Sequence, residues 1–456
     1  MTRTSHFSSE VGIPIYSLNF LSDDLVVYAG GGGAGKSGVT NALVVASIDH
    51  ASQSLKEVNK LTLSRDEDAP MSMAVNLRRN QIVCGINSTA EMVKQGKNKT
   101  LRIFEFNVSN DSPSGQGGDA ADQAQAGEGQ HEGEKKNGQI TAKLELLKAE
   151  ESLRISDPEH YQKVAVFSVD GKMLAVASTD GKIVLHRYPS LQPVWTPSSG
   201  TEEKEIPEAD FVNDEICDAD FSESGTHIAF TSSSKLGVYS TAAHPFKGSV
   251  DQDDSQGDVE GEGSAQAIQT IKNPALGGKG PCSFRAARFG RGDASREKLF
   301  TVVNAAPGGG RGPKAKVRKS FVTAWDADSW DLIETRHVSD RPVTAFDVSA
   351  DGRLLAYGSS DLSIGVLDSR TLRPILKILH AHDFPPTCLR FSPSGETLVS
   401  GSADNTLRII KIPSRQAQLD LIRTSSLFQD RGRLAILLAL VLVGLAYWFQ
   451  LRLSRD

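Results

Sequence analysis

The 456-residue sequence predicts an all-β fold, a seven-bladed β-propeller, followed by one C-terminal transmembrane helix. Three observations carry that expectation. A β-rich unit recurs seven times, no helical periodicity is sustained before residue 415, and an unbroken apolar run lies near the C-terminus. The unit is a strand, a small polar turn, a second apolar strand, a Ser/Asp-rich turn and a third strand. Repetition at about 40–55 residues with turns of this kind is the pattern of a propeller, in which each blade covers the apolar faces of its neighbours.

In order, the copies are residues 15–48, 71–107, 164–188, 216–240, 283–326, 343–369 and 387–412. The clearest are VAVFSVDGKMLAVASTDGKIVLHRY and VTAFDVSADGRLLAYGSSDLSIGVLDS; the second and fifth are weaker. Asp170-Gly171, Asp180-Gly181 and Asp351-Gly352 are strong hairpin signals, because both residue types tolerate the backbone of tight turns. The propeller is expected over residues 1–412, with Ile13–Tyr16 pairing against the last blade to close the ring. Residues 107–139 and 248–267 are nearly devoid of apolar side chains and are expected as disordered insertions within turns, where added length costs little closure entropy.

Composition narrows the function classes. The four cysteines are scattered with no C-x-x-C pair, so disulfides and structural zinc are not expected. The net charge of −6 reflects twelve carboxylates in residues 107–134 and 248–267, which hold no Lys or Arg; the remainder carries about +6, five of it from Arg311, Lys314, Lys316, Arg318 and Lys319. That basic run reads as a solvated loop, with contact to anionic lipid headgroups as the second reading. No basic stripe on a folded face is indicated, and no nucleic-acid partner is expected. No Ser, Cys or His stands in a recognisable nucleophile motif. In His380-Ala381-His382, a structural hydrogen-bond network is preferred over metal binding, and Asp180 and Asp404 are expected to brace their turns.

Residues 30–41 read Gly-Gly-Gly-Gly-Ala-Gly-Lys-Ser-Gly-Val-Thr-Asn. Gly30 to Ser37 fits the phosphate-loop pattern G-x-x-x-x-G-K-[ST], but a phosphate loop must open a helix whose free N–H groups hold the phosphates. Here Leu25–Tyr28 precedes the loop and the β-branched stretch Val39–Ile48 follows it. Strand–loop–strand is the expectation, with no nucleotide bound by this chain. A run of glycines accepts positive φ and can bring several carbonyls to one point, which suits a weakly hydrated monovalent cation. Asn41 offers an amide that both donates and accepts.

Leu434–Phe449 is uninterruptedly apolar, and Gln450-Leu451 extends it. Eighteen helical residues span roughly 27 Å, matching a thin bilayer such as that of the endoplasmic reticulum. Tyr447 and Trp448 stand at an interfacial position and Arg431, Arg433, Arg452 and Arg455 bracket the run. The expected map is a linker over 413–433, a span over 434–451 and a short lumenal tail over 452–456. The N-terminal MTRTSHFSSEVG lacks an apolar signal stretch, and a single span so near the C-terminus is expected to leave residues 1–430, with the propeller, in the cytosol.

The repeats resemble WD repeats, although most lack the terminal Trp-Asp. Trp325-Asp326 is the nearest match, and GSADNTLRIIKI (401–412) keeps the G-S-x-D-x-T pattern. Joined to the glycine loop and the apolar run, the chain resembles the endoplasmic reticulum membrane exchange factors for the Sar-type small GTPase, which start COPII coat assembly. Their first-blade loop is matched from Gly30 through Asn41. The resemblance implies nucleotide exchange without bond chemistry, with coat and exit-site proteins as further partners. It implies Asn41 as the catalytic residue and Gly30, Gly31, Gly32, Gly33, Lys36, Ser37, Gly38, Val39 and Thr40 as GTPase contacts. It also implies a potassium ion held by Gly31, Gly32, Gly33 and Asn41, mostly through carbonyls. Two alternatives stay open: an exchange-inactive, membrane-anchored adaptor or scaffold for exit from the endoplasmic reticulum, and a P-loop nucleotidase.

Overall fold

The computed structural model describes residues 5–35, 37–111, 139–196, 211, 214–242, 263–264, 267–272, 282–306, 318–415 and 417. Among the described residues seven sheets, antiparallel but for one short parallel pairing, follow one another along the chain, one for each repeat. In the first blade the strands run Ile15–Ser22, Leu25–Gly30, Ala42–Asp49 and Ser54–Thr62, from the centre outward. The second strand of this blade is buried throughout, whereas the outermost alternates with solvent. That difference explains why Leu-Val-Val-Tyr-Ala-Gly reads as a continuous apolar run: both its faces are covered. Six further sheets start at Ser72, Gln162, Ile216, Cys282, Val343 and Pro386.

The core is divided into seven clusters, and each straddles a junction between adjacent blades. One joins Val26, Tyr28 and Val44 of blade 1 to Val399, Leu407 and Ile409 of blade 7. Another joins Val27 and Val45 to Ile82, Cys84 and Phe104 of blade 2. The other five repeat this arrangement round the circle. Because every blade needs both neighbours, the ring closes only when its ends meet.

The closing strand differs from the expectation. His6–Glu10 pairs antiparallel with Thr406–Lys411, from His6 opposite Ile410 to Glu10 opposite Thr406. Ile15 and Tyr16 instead begin the innermost strand of blade 1. The insertions are also narrower than expected. Strand Leu101–Asp111 pairs with Gln139–Glu150 out to Asp111 opposite Gln139, so residues 107–111 and 139 belong to a ribbon. In the second segment Gly263–Ser264 pairs in parallel with Pro193–Thr196, and Ala267 opens the outer strand of blade 4. Residues 112–138, 248–262 and 265–266 lie outside the described residues, as do most of the linker, the run 434–451 and the tail. Among the described residues no helix is long and apolar enough to cross a membrane.

Strand direction fixes where the loops go. The connection from second to third strand leaves on the same face as the connection from the fourth strand to the next blade. The glycine loop (31–41) and the inter-blade segment 63–71 therefore share one face of the ring.

Candidate functional site: the glycine loop of blade 1

The loop leaves strand Leu25–Gly30 and returns as strand Ala42–Asp49, with Gly30 opposite Ala42 at its neck. No helix follows it, so the premise of the phosphate-loop reading fails at this position. At the neck Gly31 N–H donates to Pro14 O (3.1 Å), and a Cβ built on Gly30 would lie 1.8 Å from the same oxygen. Only glycine admits this approach. Gly31 and Gly33 also have φ of 138° and 67°, which L side chains rarely adopt.

Asn41 holds the loop from beneath. Its Oδ1 accepts from Gly33 N–H at 2.9 Å. Its Nδ2 donates to Ser64 O at 2.9 Å and Glu67 O at 3.0 Å. The side chain is fully buried. The amide of Asn41, the residue that the resemblance implies as catalytic, is thus engaged inside the protein on both its oxygen and its nitrogen. The segment it holds is braced in turn by blade 2. Glu67 forms a 2.6 Å ion pair with Arg102, a nearly buried residue that also donates to Lys99 O. Ser64, Glu67 and Arg102 lie outside any motif; only folding brings them to the loop.

The remaining loop residues divide by exposure. Gly30 and Gly31 are buried at the neck of the loop. Gly32, Gly33, Val39 and Thr40 are half-buried, and Val39 packs against the core shared with blade 7. Ala34, Gly35, Ser37 and Gly38 form the exposed tip; Lys36 lies outside the described residues. Ser37 N–H donates to Gly35 O (2.7 Å), and Ser37 Oγ accepts from Val39 N–H (3.3 Å). The surface presented is mostly backbone, held from below.

Below the loop, burial pushes the Asp68 carboxyl above the usual carboxylate range, partly offset by a hydrogen bond from Asn87. At blade 7 His382 sits in the expected structural network, whereas His380 is exposed. His382 is buried, with Nδ1 at 2.8 Å from Thr406 Oγ1 and Nε2 at 3.0 Å from Ser400 Oγ. Asp404 accepts from Thr406 Oγ1 (2.7 Å) and Asp383 N–H (2.7 Å), bracing the turn. Asp180 likewise accepts from Ser178 and Lys182 around its own turn.

Comparison with known proteins agrees with this architecture. The family described as WD domain, G-beta repeat matches residues 373–411, which end with the last blade's strand Thr406–Lys411. The chain is similar to the SEC12 guanine nucleotide-exchange factors. It is 24% identical over 380 residues to the guanine nucleotide-exchange factor SEC12 of Rattus norvegicus, covering 81% of this chain and 78% of that protein. It is 25% identical over 375 residues to SED4 of Candida glabrata, covering 81% of this chain but only 28% of that relative's length. SEC12-like protein 2 of Arabidopsis thaliana is 22% identical over 341 residues, 75% of this chain and 64% of its own.

Proposed function

We propose that this chain promotes GDP release from a Sar-type small GTPase at the endoplasmic reticulum membrane, the step that starts COPII vesicle formation. The observation that carries the reading is the glycine loop. It is shaped by residues that admit no Cβ and fixed by a buried amide to the segment leading into blade 2. An exchange factor needs no bond chemistry. It must bind the nucleotide-free GTPase better than the loaded one, and by reciprocity each 1.4 kcal/mol or so of that preference weakens nucleotide binding about tenfold. A loop fixed before the encounter loses little entropy on docking, so more of its contact energy is available to oppose the nucleotide. The exposed tip residues Ala34, Gly35, Ser37 and Gly38 are the part that meets the GTPase, with Asn41 acting through them.

The donor set fits a monovalent cation. A Cβ on Gly32 would lie 1.8 Å from Ser37 Oγ and 2.9 Å from Val39 O; one on Gly31 would lie 2.4 Å from Asn41 Oδ1 and 2.8 Å from Thr40 O. These oxygens crowd the space the glycines leave, and none is a carboxylate. Neutral oxygens of this kind suit a weakly hydrated ion such as potassium. We propose that carbonyls of the loop, with Asn41 Oδ1, hold it; the ion would screen the mutual repulsion of those oxygens. Anchoring by 434–451, with the ring in the cytosol, keeps exchange beside the membrane where coat proteins gather.

The direct test is fluorescence-monitored GDP release from a Sar-type GTPase with the full chain, in potassium and in sodium. Faster release, greater in potassium, is expected. Binding of the nucleotide-free GTPase without accelerated release would return the chain to the adaptor reading.

A further inference from the structure

The inner strands share an irregularity. In six of the seven blades the pairing of first and second strands shifts register after the strand's opening residue or residues, at Tyr16, Lys163, Cys217, Arg285, Thr344 and Thr387. Each of these residues is half-exposed and follows a buried one, and each lines the central channel, a cavity of about 670 Å³. A bulge re-aims the extra side chain, and here six are re-aimed to one mouth. They stand near the start of the inner strands, so the mouth opens on the glycine-loop face. Pro14 and Ile15 join the two features: Pro14 O accepts from Gly31 N–H (3.1 Å), and Ile15 O from Thr387 Oγ1 (2.5 Å).

The charges of the channel do not cancel at this mouth. Deeper in, Arg288 pairs with Asp218 and approaches Asp347, Arg390 reaches Asp347 at 3.4 Å, and Arg291 grips Asp220 at 2.9 Å. Three guanidiniums thus meet three carboxylates. At the mouth Lys163 is paired with Glu215. Arg285 is different: its Nε donates to Thr344 O (3.1 Å), and among the described residues no carboxylate lies within ion-pair distance of it. Thr344 and Thr387 direct their hydroxyl protons to carbonyls and cannot neutralise a second charge.

We propose that Arg285 is a socket for one acidic side chain of the GTPase seated on the glycine loop. The planar fork of a guanidinium matches a carboxylate with two parallel hydrogen bonds, and a half-buried mouth strengthens them. The proposal rests on the exchange reading above and adds a recognition contact away from the loop.

The test measures exchange rate against GTPase concentration for the full chain and its variants. For Arg285→Ala the half-saturating GTPase concentration should rise about tenfold, with the saturating rate within about twofold, as expected for loss of a docking charge. Arg285→Glu should exceed that rise, and added salt should narrow all differences. If Arg285→Ala does not fold, Arg285→Lys decides: it keeps the charge, loses the fork and should raise half-saturation roughly threefold. Unchanged half-saturation in the folded variants overturns the socket alone. Micromolar binding of inorganic phosphate, lost in Arg285→Ala, would make this a small-anion site and also overturn it. A wild-type chain that accelerates no release removes the exchange reading and the socket together.

Discussion

Blades 1 and 7 solve the same connection in opposite ways. In blade 7 the second and third strands, Thr397–Ser402 and Thr406–Lys411, are joined by three residues. Asp404 closes that turn through Thr406, and His382 fills the space behind it. In blade 1 the same connection takes eleven residues, and the polar side chain sits at its end. Asn41 does not close a turn; it holds an opened loop against Ser64 and Glu67. Both side chains are spent inside the protein, but one stabilises a hairpin and the other shapes a surface. Loss of either should cost stability, and only the second should cost function.

The largest expected effect breaks the comparison directly. Asn41→Ala leaves Gly33 N–H and two carbonyls without their partner, costing about 1–3 kcal/mol of stability. It should also lower GDP release at least 100-fold, because the loop tip loses its fixed position. Asp404→Ala should lower the melting temperature by a comparable amount and leave release at the wild-type rate. Equal loss of release in both variants would mean that ring stability, not loop shape, controls exchange.

Gly32→Ala sharpens the loop half of the contrast. The new methyl meets Ser37 Oγ and Val39 O, so the loop must open. Release should fall roughly tenfold with only a small change in melting temperature, since surface changes away from the core seldom exceed about 0.5 kcal/mol. Adding Ser37→Ala removes the nearer obstacle and should recover part of the rate.

What the sequence revealed divides along similar lines. Seven repeats were legible because buried strands such as Leu25–Gly30 and Leu354–Ser359 are apolar runs between small polar turns. The ring-closing strand was not: His-Phe-Ser-Ser-Glu has one apolar side chain and half-faces solvent, so its pairing follows from ring closure rather than pattern. The ribbon ends 107–111 and 139 were hidden by polar composition for the same reason. The loop itself was legible from its glycines. The role of Asn41 was not, because the carbonyls that consume its amide lie 23 and 26 residues away on a segment without a motif. Glu67 and Arg102, 35 residues apart, carry no mutual signal in a single sequence.

In blade 7 the buried His382 makes a pH-dependent prediction. Burial holds its imidazole below the ordinary histidine value of about 6.5, with Asp404 opposing the shift. A depressed histidine binds protons more readily unfolded, so its neutral form supports the fold above about pH 6.5 and that support is lost as the pH falls towards the folded value. Melting temperature should therefore drop on acidification through this window. His382→Gln, unable to charge, should show a shallower drop over the same window.

Asp68 gives the opposite sign beside the loop, and the smallest effect. Burial raises its carboxyl above 3.8, an Asn87 hydrogen bond opposes this, and Glu67 adds to the rise. A carboxyl raised in the folded state holds its proton more tightly there, so its contribution is most favourable below pH 3.8 and declines as the pH rises through the folded value. At neutral pH the charge is therefore a mild burden on the segment that Asn41 grips. Asp68→Asn removes the charge and leaves an amide oxygen to accept from Asn87. The variant should melt roughly 1–2 °C higher at pH 7, a small increment for a ring of this size, and the gain should vanish in acid. Because the loop's own hydrogen bonds come from main-chain carbonyls of this segment, GDP release should stay at the wild-type rate. A lower melting temperature at pH 7 would show that the ionised carboxylate is itself part of the brace, and the segment beneath the loop would then be held by charge as well as by Asn41.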